Sequence, residues 1–399
     1  MSSLFSAVEM APRDPILGLN EQFNADPNPA KVNLGVGVYF DDNGKLPLLQ
    51  CVQTAEKMMM EAPKARGYLP IDGIAAYDQA VQGLVFGADS AAVRAGRIAT
   101  VQAIGGTGAL KVGADLLERM NAGARVLISD PSWENHRALF EGAGFVVDHY
   151  PYYDAARRGI DFDGMLGALD QAAAGTIVVL HACCHNPTGY DITADQWAKV
   201  IAILESRRLV PFLDMAYQGF GDGIAEDGAV VGLFVAAGLD FFVATSFSKS
   251  FSLYGERVGA LSVVCASKDE ATRVLSQLKR VIRTNYSNPP THGAQVVALV
   301  LTTPALRAMW EEELAGMRVR IKKMREALRS RLEAALKRDF SFITRQRGMF
   351  SYSGLSKEQM QRLRSEFGIY GVDSGRICVA ALNTKNIDAT VSAIAKVSA

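Results

Sequence analysis

Short apolar runs alternate with helix-length stretches through the middle of the chain. Ile98 to Ile104, Val126 to Ile128, Thr176 to Leu180, Val210 to Leu213, Phe241 to Ala244 and Val258 to Val264 read as strands. This alternation predicts an α/β fold with a mostly parallel sheet between helices. Four of the runs deliver unusual residues at their carboxyl ends: Asp130-Pro131-Ser132-Trp133, the segment from His181 to Gly189, Asp214-Met215-Ala216-Tyr217, and the serine-lysine stretch after Ala244. In open α/β sheets that is the edge where ligands bind. Arg257 instead precedes its run. If Val258 to Val264 runs antiparallel to its neighbours, Arg257 reaches the same edge, and that is the expectation.

Outside this alternation the pattern changes. Residues 1–30 suggest an extended arm and a short helix. Lys31 to Tyr39 is strand-like, and Gly35 and Gly37 let another group approach the backbone. Phe40 to Gly44 is a turn, Thr54 to Glu61 a helix and Gly67 to Gly73 a loop. After Ile104, a turn of Gly105-Gly106-Thr107-Gly108 opens a helix, Ala109 to Met120, and offers backbone N–H groups to a phosphate. From Thr303, a plausible N-cap, and Pro304 a long helix begins. Leu306, Trp310, Leu314, Met317, Ile321, Met324, Leu328 and Leu332 form its apolar face, and the basic residues from Arg318 to Arg331 read as its solvated face. This helix leads into a smaller α+β domain with strands near Gly348 to Tyr352 and Ile377 to Ala381, the second just after Arg376. The expected division is an arm and part of the small domain in residues 1–46, a large domain in 47–315 and the small domain in 316–399.

Charge narrows the function classes. The 42 basic and 42 acidic residues cancel, so no bulk field favours nucleic acid or an anionic membrane, and an anionic substrate must be held by local cations. No apolar run approaches the length of a membrane span. The five cysteines, Cys51, Cys183, Cys184, Cys265 and Cys378, form no C-x-x-C and read as reduced, mostly buried thiols of a cytoplasmic protein, with no metal centre expected. The N-terminus carries Glu9 early and no basic residue before Arg13, so it does not read as a secretory signal.

The chemistry concentrates in Ala244 to Gly259. Lys249 lies among small hydroxyls with Phe247 and Phe251 beside it. An amine near apolar surface loses charge stabilisation and becomes a usable nucleophile. Ser246, Ser248 and Arg257 suit a phosphate. An amine beside a phosphate pocket suggests pyridoxal 5'-phosphate, which also needs a carboxylate at its pyridine nitrogen, donors to its phenolic oxygen and a stacking partner. Asp214, the pair Asn186 and Tyr217, and Trp133 are the candidates, while His136 and His181 could orient Asp214 or pack below the ring. Gly106, Thr107 and Gly108 could add phosphate contacts. A nucleotide-dependent oxidoreductase would use the glycines, but Lys111 stands where a third glycine is needed. That reading leaves Lys249, Asp214 and Arg376 idle.

In this order and spacing, G-G-T-G-A-L, D-P-S-W, H-N-P-T-G, D-x-A-Y and S-x-S-K with R-V-G after it resemble the aspartate and aromatic amino-acid aminotransferases. The resemblance covers essentially the whole chain. It implies the fold-type I architecture, with a seven-stranded, mostly parallel sheet in the large domain. It also implies pyridoxal 5'-phosphate on Lys249, Asp214 at the pyridine nitrogen, Asn186 and Tyr217 at the phenolic oxygen and Trp133 stacked on the ring. Arg376, with Gly37 and Asn186, would bind the substrate α-carboxylate. Arg283 and Tyr68 match residues that reach into the partner subunit's site, which implies a homodimer with shared active sites. The substrates implied are amino acids and 2-oxo acids.

Phe40, Leu46 and Gly67 depart from the aspartate-specific pattern by removing polarity near the expected pocket mouth, which favours aromatic side chains. Arg283 retains aspartate, glutamate and 2-oxoglutarate, and Asn288 is closer to the aspartate pattern. Glu134 stands where a proline is usual. The expectation is transamination of Tyr, Phe, Trp and aspartate with 2-oxoglutarate; the alternative is an aspartate aminotransferase with little aromatic activity.

Overall fold

The computed structural model describes residues 3–398; the first two residues of the expected arm and the last of the chain lie outside them. Seven strands form the central sheet: β1 (Ile98–Ile104), β2 (Arg125–Asp130), β3 (Val146–Pro151), β4 (Ile177–His181), β5 (Val210–Met215), β6 (Phe241–Ser246) and β7 (Val258–Val264). Their order is β1-β7-β6-β5-β4-β2-β3. The pairings among β2 to β6 are parallel, and β7 is antiparallel to both β1 and β6. The register sets Val258 opposite Ile104 and Gly259 opposite Ser246. Arg257 therefore does reach the edge where the parallel strands end.

Successive strand residues feed opposite layers, as the period of two requires. Leu180, Leu213, Val243 and Ala260 join one apolar core, while Val179, Phe212, Phe242 and Leu261 join the other. All six residues of β6 and all seven of β7 are buried. Burial on both faces explains why these strands read as continuous apolar runs.

The helix Pro304–Leu336 runs for 33 residues. Its Trp310 indole donates to the Ser250 carbonyl at 2.7 Å and stacks on Phe251 at 4.7 Å, so the long helix supports the segment that carries Lys249. At the far end of the chain, β8 (Phe350–Tyr352) pairs antiparallel with β9 (Arg376–Cys378). Val32–Asn33 pairs in parallel with Ile369–Tyr370, tying the arm to the C-terminal region. The short N-terminal helix is Leu17–Ala25. All five cysteines are buried and free.

Four expectations change. The strand expected over Lys31 to Tyr39 is only Val32–Asn33. The Asn33 side chain accepts from the N–H groups of Gly35 and Val36 at 3.1 and 3.4 Å, which bends the chain out of the ladder. The glycine-rich turn after Ile104 is itself the first turn of the helix Gly105–Met120. Thr303 caps nothing with its side chain; Pro304 at the first position and the Thr303 carbonyl, which accepts from Arg307 N–H at 2.9 Å, start the long helix. On that helix Met324 packs partly buried against the core and its neighbour Arg325 is buried, so the basic side is not wholly solvated.

Candidate active site

At the carboxyl ends of β4, β5 and β6 lies a cavity of about 320 Å³. Lys249 lies three residues beyond β6. Its amine is 4.9 Å from the centre of the Tyr217 ring. Burial lowers its pKa to about 8, opposed by Asp214 and helped by the positive charges of Arg257 and Arg376. The amine is thus a weaker acid-binder than an exposed lysine and a readier nucleophile at neutral pH.

Asp214, next to last in β5, points into the same cavity. Burial alone would raise its pKa. The hydrogen bond from His136, with the positive charge of Lys249, outweighs burial and holds the carboxyl below its usual range. His136 Nε2 lies 2.9 Å from Asp214 Oδ2, and His136 Nδ1 lies 2.9 Å from Ser132 Oγ. With the Ser132 hydroxyl donating to Nδ1, the proton on Nε2 is directed at Asp214. His136 takes the orienting role. His181 packs tilted against His136 at 5.0 Å and finds no hydrogen-bond partner. Burial, with His136 adding to it, depresses its pKa to about 3, so it stays neutral.

One corner is built for an anion. Gly106 and Thr107 in the first turn of Gly105–Met120, Ser246 at the end of β6, Ser248 and Arg257 line it. Gly105 N–H donates to the Arg257 carbonyl at 3.0 Å, and no side chain caps the N–H groups that follow it. Arg257 Nη1 donates to Ser248 Oγ at 3.3 Å and to the Tyr254 carbonyl at 3.0 Å. Gly105 has φ +67, and a Cβ there would lie 2.3 Å from Arg257 Nη2. Only glycine lets the guanidinium lie against this turn.

Across the cavity Arg376 is 1% exposed. Its Nη1 donates to Asn186 Oδ1 at 3.0 Å and its Nη2 to the Gly35 carbonyl at 2.6 Å, while Nε has no partner. Phe350 lies 4.3 Å from the guanidinium. A Cβ on Gly37 would meet Phe350 Cζ at 2.8 Å, so this glycine admits the ring. Trp133, Asn186, Tyr217 and Gly37 all line the cavity.

Of the residues expected at this chain's own site, Gly108 does not line it, and Tyr68 and Arg283, expected at the partner's site, lie away from it. Gly108 faces β1, with its Cβ position 3.1 Å from Ile104 Cβ. Tyr68 is 96% exposed, and Arg283 is exposed in the last turn of Lys268–Asn285, where it donates to Ser287 Oγ. Phe40, Leu46 and Gly67 also lie off this chain's cavity; Phe40 packs on the main core and Leu46 is 40% exposed. Conversely, Tyr254 and Phe350 line the cavity without having been assigned a role. Tyr254 stood inside the Lys249–Arg257 stretch, and its hydroxyl accepts from Tyr39 N–H at 3.0 Å.

A partly buried amine, an ionised buried carboxylate and a cationic helix-start corner around one cavity define an α/β cofactor enzyme. The aminotransferase class I and II family profile matches residues 29–394. The chain belongs to this family, and its cofactor is pyridoxal 5'-phosphate. It is 64% identical to an aspartate aminotransferase of Pseudomonas aeruginosa over 99% of this chain and all of that one. It is 50% identical to an aromatic-amino-acid aminotransferase of Escherichia coli K12, with the same coverage. A crystal structure of an aromatic-amino-acid aminotransferase from Burkholderia pseudomallei, covalently bound to pyridoxal phosphate, superposes with a TM-score of 0.97 at 67% identity, over 99% of this chain and 100% of that one. The residues present fit the cofactor: Lys249 offers an amine, Asp214 is held ionised, and Arg257 is cradled against the uncapped first turn of a helix.

Proposed function

We propose that this aminotransferase accepts tyrosine, phenylalanine, tryptophan and aspartate, with 2-oxoglutarate as amino acceptor, in two half-reactions at one site. The observation that carries the reading is the Arg376–Asn186 pair opening into the same cavity as Lys249 and Trp133. The aromatic branch draws support from the 67% identical Burkholderia pseudomallei structure. The Pseudomonas aeruginosa relative favours the alternative, an aspartate aminotransferase with little aromatic activity.

Pyridoxal 5'-phosphate supplies an aldehyde that condenses with amines and a ring that draws electrons from the bound amino acid. Lys249 Nζ holds the cofactor and, as a free amine during turnover, carries the proton removed from the substrate α-carbon. Asp214, oriented by His136, keeps the pyridine nitrogen protonated. Asn186 and Tyr217 bind the phenolic oxygen, and Trp133 covers the ring. Gly106, Thr107, Ser246, Ser248 and Arg257 hold the phosphate. Arg376 takes the α-carboxylate with help from Asn186 and Gly37, and a planar guanidinium suits that bidentate contact.

The active form is a homodimer in the cytoplasm, in which Tyr68 and Arg283 serve the partner's site; their exposure here supports that role. No helix among the described residues is long and apolar enough to cross a membrane. Residues 47–315 form the large domain and 316–399, with part of 1–46, the small one. The Val32–Asn33 pairing with Ile369–Tyr370 supports that assignment of the arm.

A single-turnover spectral titration with aspartate and, separately, phenylalanine tests the substrate reading. Conversion of the cofactor band by both donors is expected; conversion by aspartate alone would establish the alternative. Mixing an Arg283→Ala chain with a Lys249→Ala chain should regenerate dicarboxylate activity in hybrid dimers. No recovery despite proven subunit exchange would refute the shared site.

A further inference from the structure

Two arginines among the described residues are buried, Arg376 at 1% and Arg325 at 3% exposure. Arg376 has its role above. Arg325 projects from the helix Pro304–Leu336 into an apolar core and pairs only with backbone oxygens. Its Nη1 donates to the Ile343 carbonyl at 3.1 Å. Its Nη2 donates to the carbonyls of Gly348 at 2.9 Å, Arg347 at 3.3 Å and Phe350. Burial lowers its pKa to about 10. A buried cation held by dipoles rather than by a carboxylate is costly, and a merely apolar packing role would be filled better by a leucine or methionine.

The segment it grips touches both halves of the carboxylate site. Phe350 ends that segment, lies 4.3 Å from the Arg376 guanidinium and meets Tyr217 edge-on at 5.7 Å. Phe350 also opens β8, whose Tyr352 is paired with Arg376 in β9. On the other side, Arg347 N–H donates to the Gly189 carbonyl at 2.6 Å. A Cβ on Gly348, where φ is +76, would lie 2.5 Å from Cys184 Cβ. Cys184 and Gly189 flank Asn186, the acceptor for Arg376 Nη1. One clamped segment thus bears on the guanidinium and on the asparagine that orients it.

We propose that Arg325 is a positioning residue for substrate carboxylate binding: by clamping residues 343–350 it fixes Phe350 and the Asn186 loop, and through them the orientation of Arg376. This rests on the reading of Arg376 as the carboxylate arginine, and the variants below separate the two.

The experiment measures two quantities on the cofactor-loaded protein. One is equilibrium binding of 2-methylaspartate, which lacks the α-hydrogen and binds without turnover. The other is kcat and KM for aspartate and 2-oxoglutarate. The variants are Arg325→Lys, Arg325→Met, Phe350→Leu and Arg376→Gln. Arg325→Lys keeps the charge but loses the planar fork. It should weaken binding and raise both KM values about tenfold, with kcat changed less than about threefold. Arg325→Met should do the same or more; if it does not fold, the lysine variant carries the test. Added to Phe350→Leu, Arg325→Lys should cost less than about twofold, because both act on one contact. Unchanged KM and affinity, loss confined to kcat and thermal stability, or full additivity with Phe350→Leu would each overturn the proposal. If Arg376→Gln leaves affinity intact, the reading of Arg376 itself fails. If Arg376→Gln weakens binding and Arg325→Lys does not, only the positioning role fails.

Discussion

The strands β5, β6 and β7 bound a cavity at each of their ends, and the two could hardly differ more. At one end Asp214, Ser246 and Arg257 line a cavity of about 320 Å³. At the other, Val210, Phe241, Phe242, Val263 and Val264 join Leu116 and Leu117 around a hollow of about 910 Å³. The larger cavity is a gap between apolar elements, with charged groups such as Glu205, Asp240 and Arg273 at its lining. The smaller one buries a carboxylate and the Arg376 guanidinium and partly buries an amine and the Arg257 guanidinium, which is expensive unless each is partnered or used. Chemistry is located by polar groups held at a cost, not by volume.

The sharpest way to break that comparison is to remove the amine. Lys249→Ala should lower kcat by roughly 10³-fold or more, since no other side chain at the small cavity can both hold the cofactor and carry the proton. Quenched-flow measurement of the half-reaction with aspartate checks this. A loss below about tenfold would mean that the chemistry resides elsewhere.

A smaller effect follows from the lowered pKa of Lys249. Free amine, not ammonium, attacks an aldehyde, so capture of pyridoxal 5'-phosphate by cofactor-free protein should quicken as pH rises. With a pKa of about 8, the rate climbs about tenfold from pH 6 to 7 and levels above about pH 8.5. An ordinary lysine would keep climbing past pH 10. Continued increase to that pH, followed by absorbance, would show that burial does not depress this amine.

The comparison also explains what the sequence made legible. Asp214, Lys249 and the Asn186 segment follow apolar runs long enough to fix their strands, and a parallel strand can deliver its last residues to only one edge. Arg257 was readable for the converse reason, as the residue before an antiparallel strand. Arg325 was hidden because periodicity assigns a face by residue type: Met324 fits an apolar stripe, and nothing local announces the four carbonyls of residues 343–350 that take the guanidinium. The extra strand expected up to Tyr39 failed because a side chain, that of Asn33, competes for the backbone donors of Gly35 and Val36. Phe350 was unreadable as a site residue because its neighbours Gly37, Tyr217 and Arg376 are distant along the chain. Such contacts are set by tertiary packing, which spacing does not encode.

The smallest expected effect lies at the opposite end of the strands. Met120→Gln and Gln277→Ala change the lining of the large apolar hollow, where Met120 is 62% exposed and Gln277 is exposed. Neither removes a buried partner, so each should shift stability by no more than about 0.5 kcal/mol and kcat/KM by less than about twofold. The strands between the two cavities are buried over most of their length, and a packed interior has two discrete arrangements or none to transmit. A loss of more than about tenfold in kcat/KM, with thermal unfolding unchanged, would mean that the far ends of β5 and β6 do bias the residues at their carboxyl edge. The large hollow would then be coupled to catalysis rather than a by-product of packing helices on a twisted sheet.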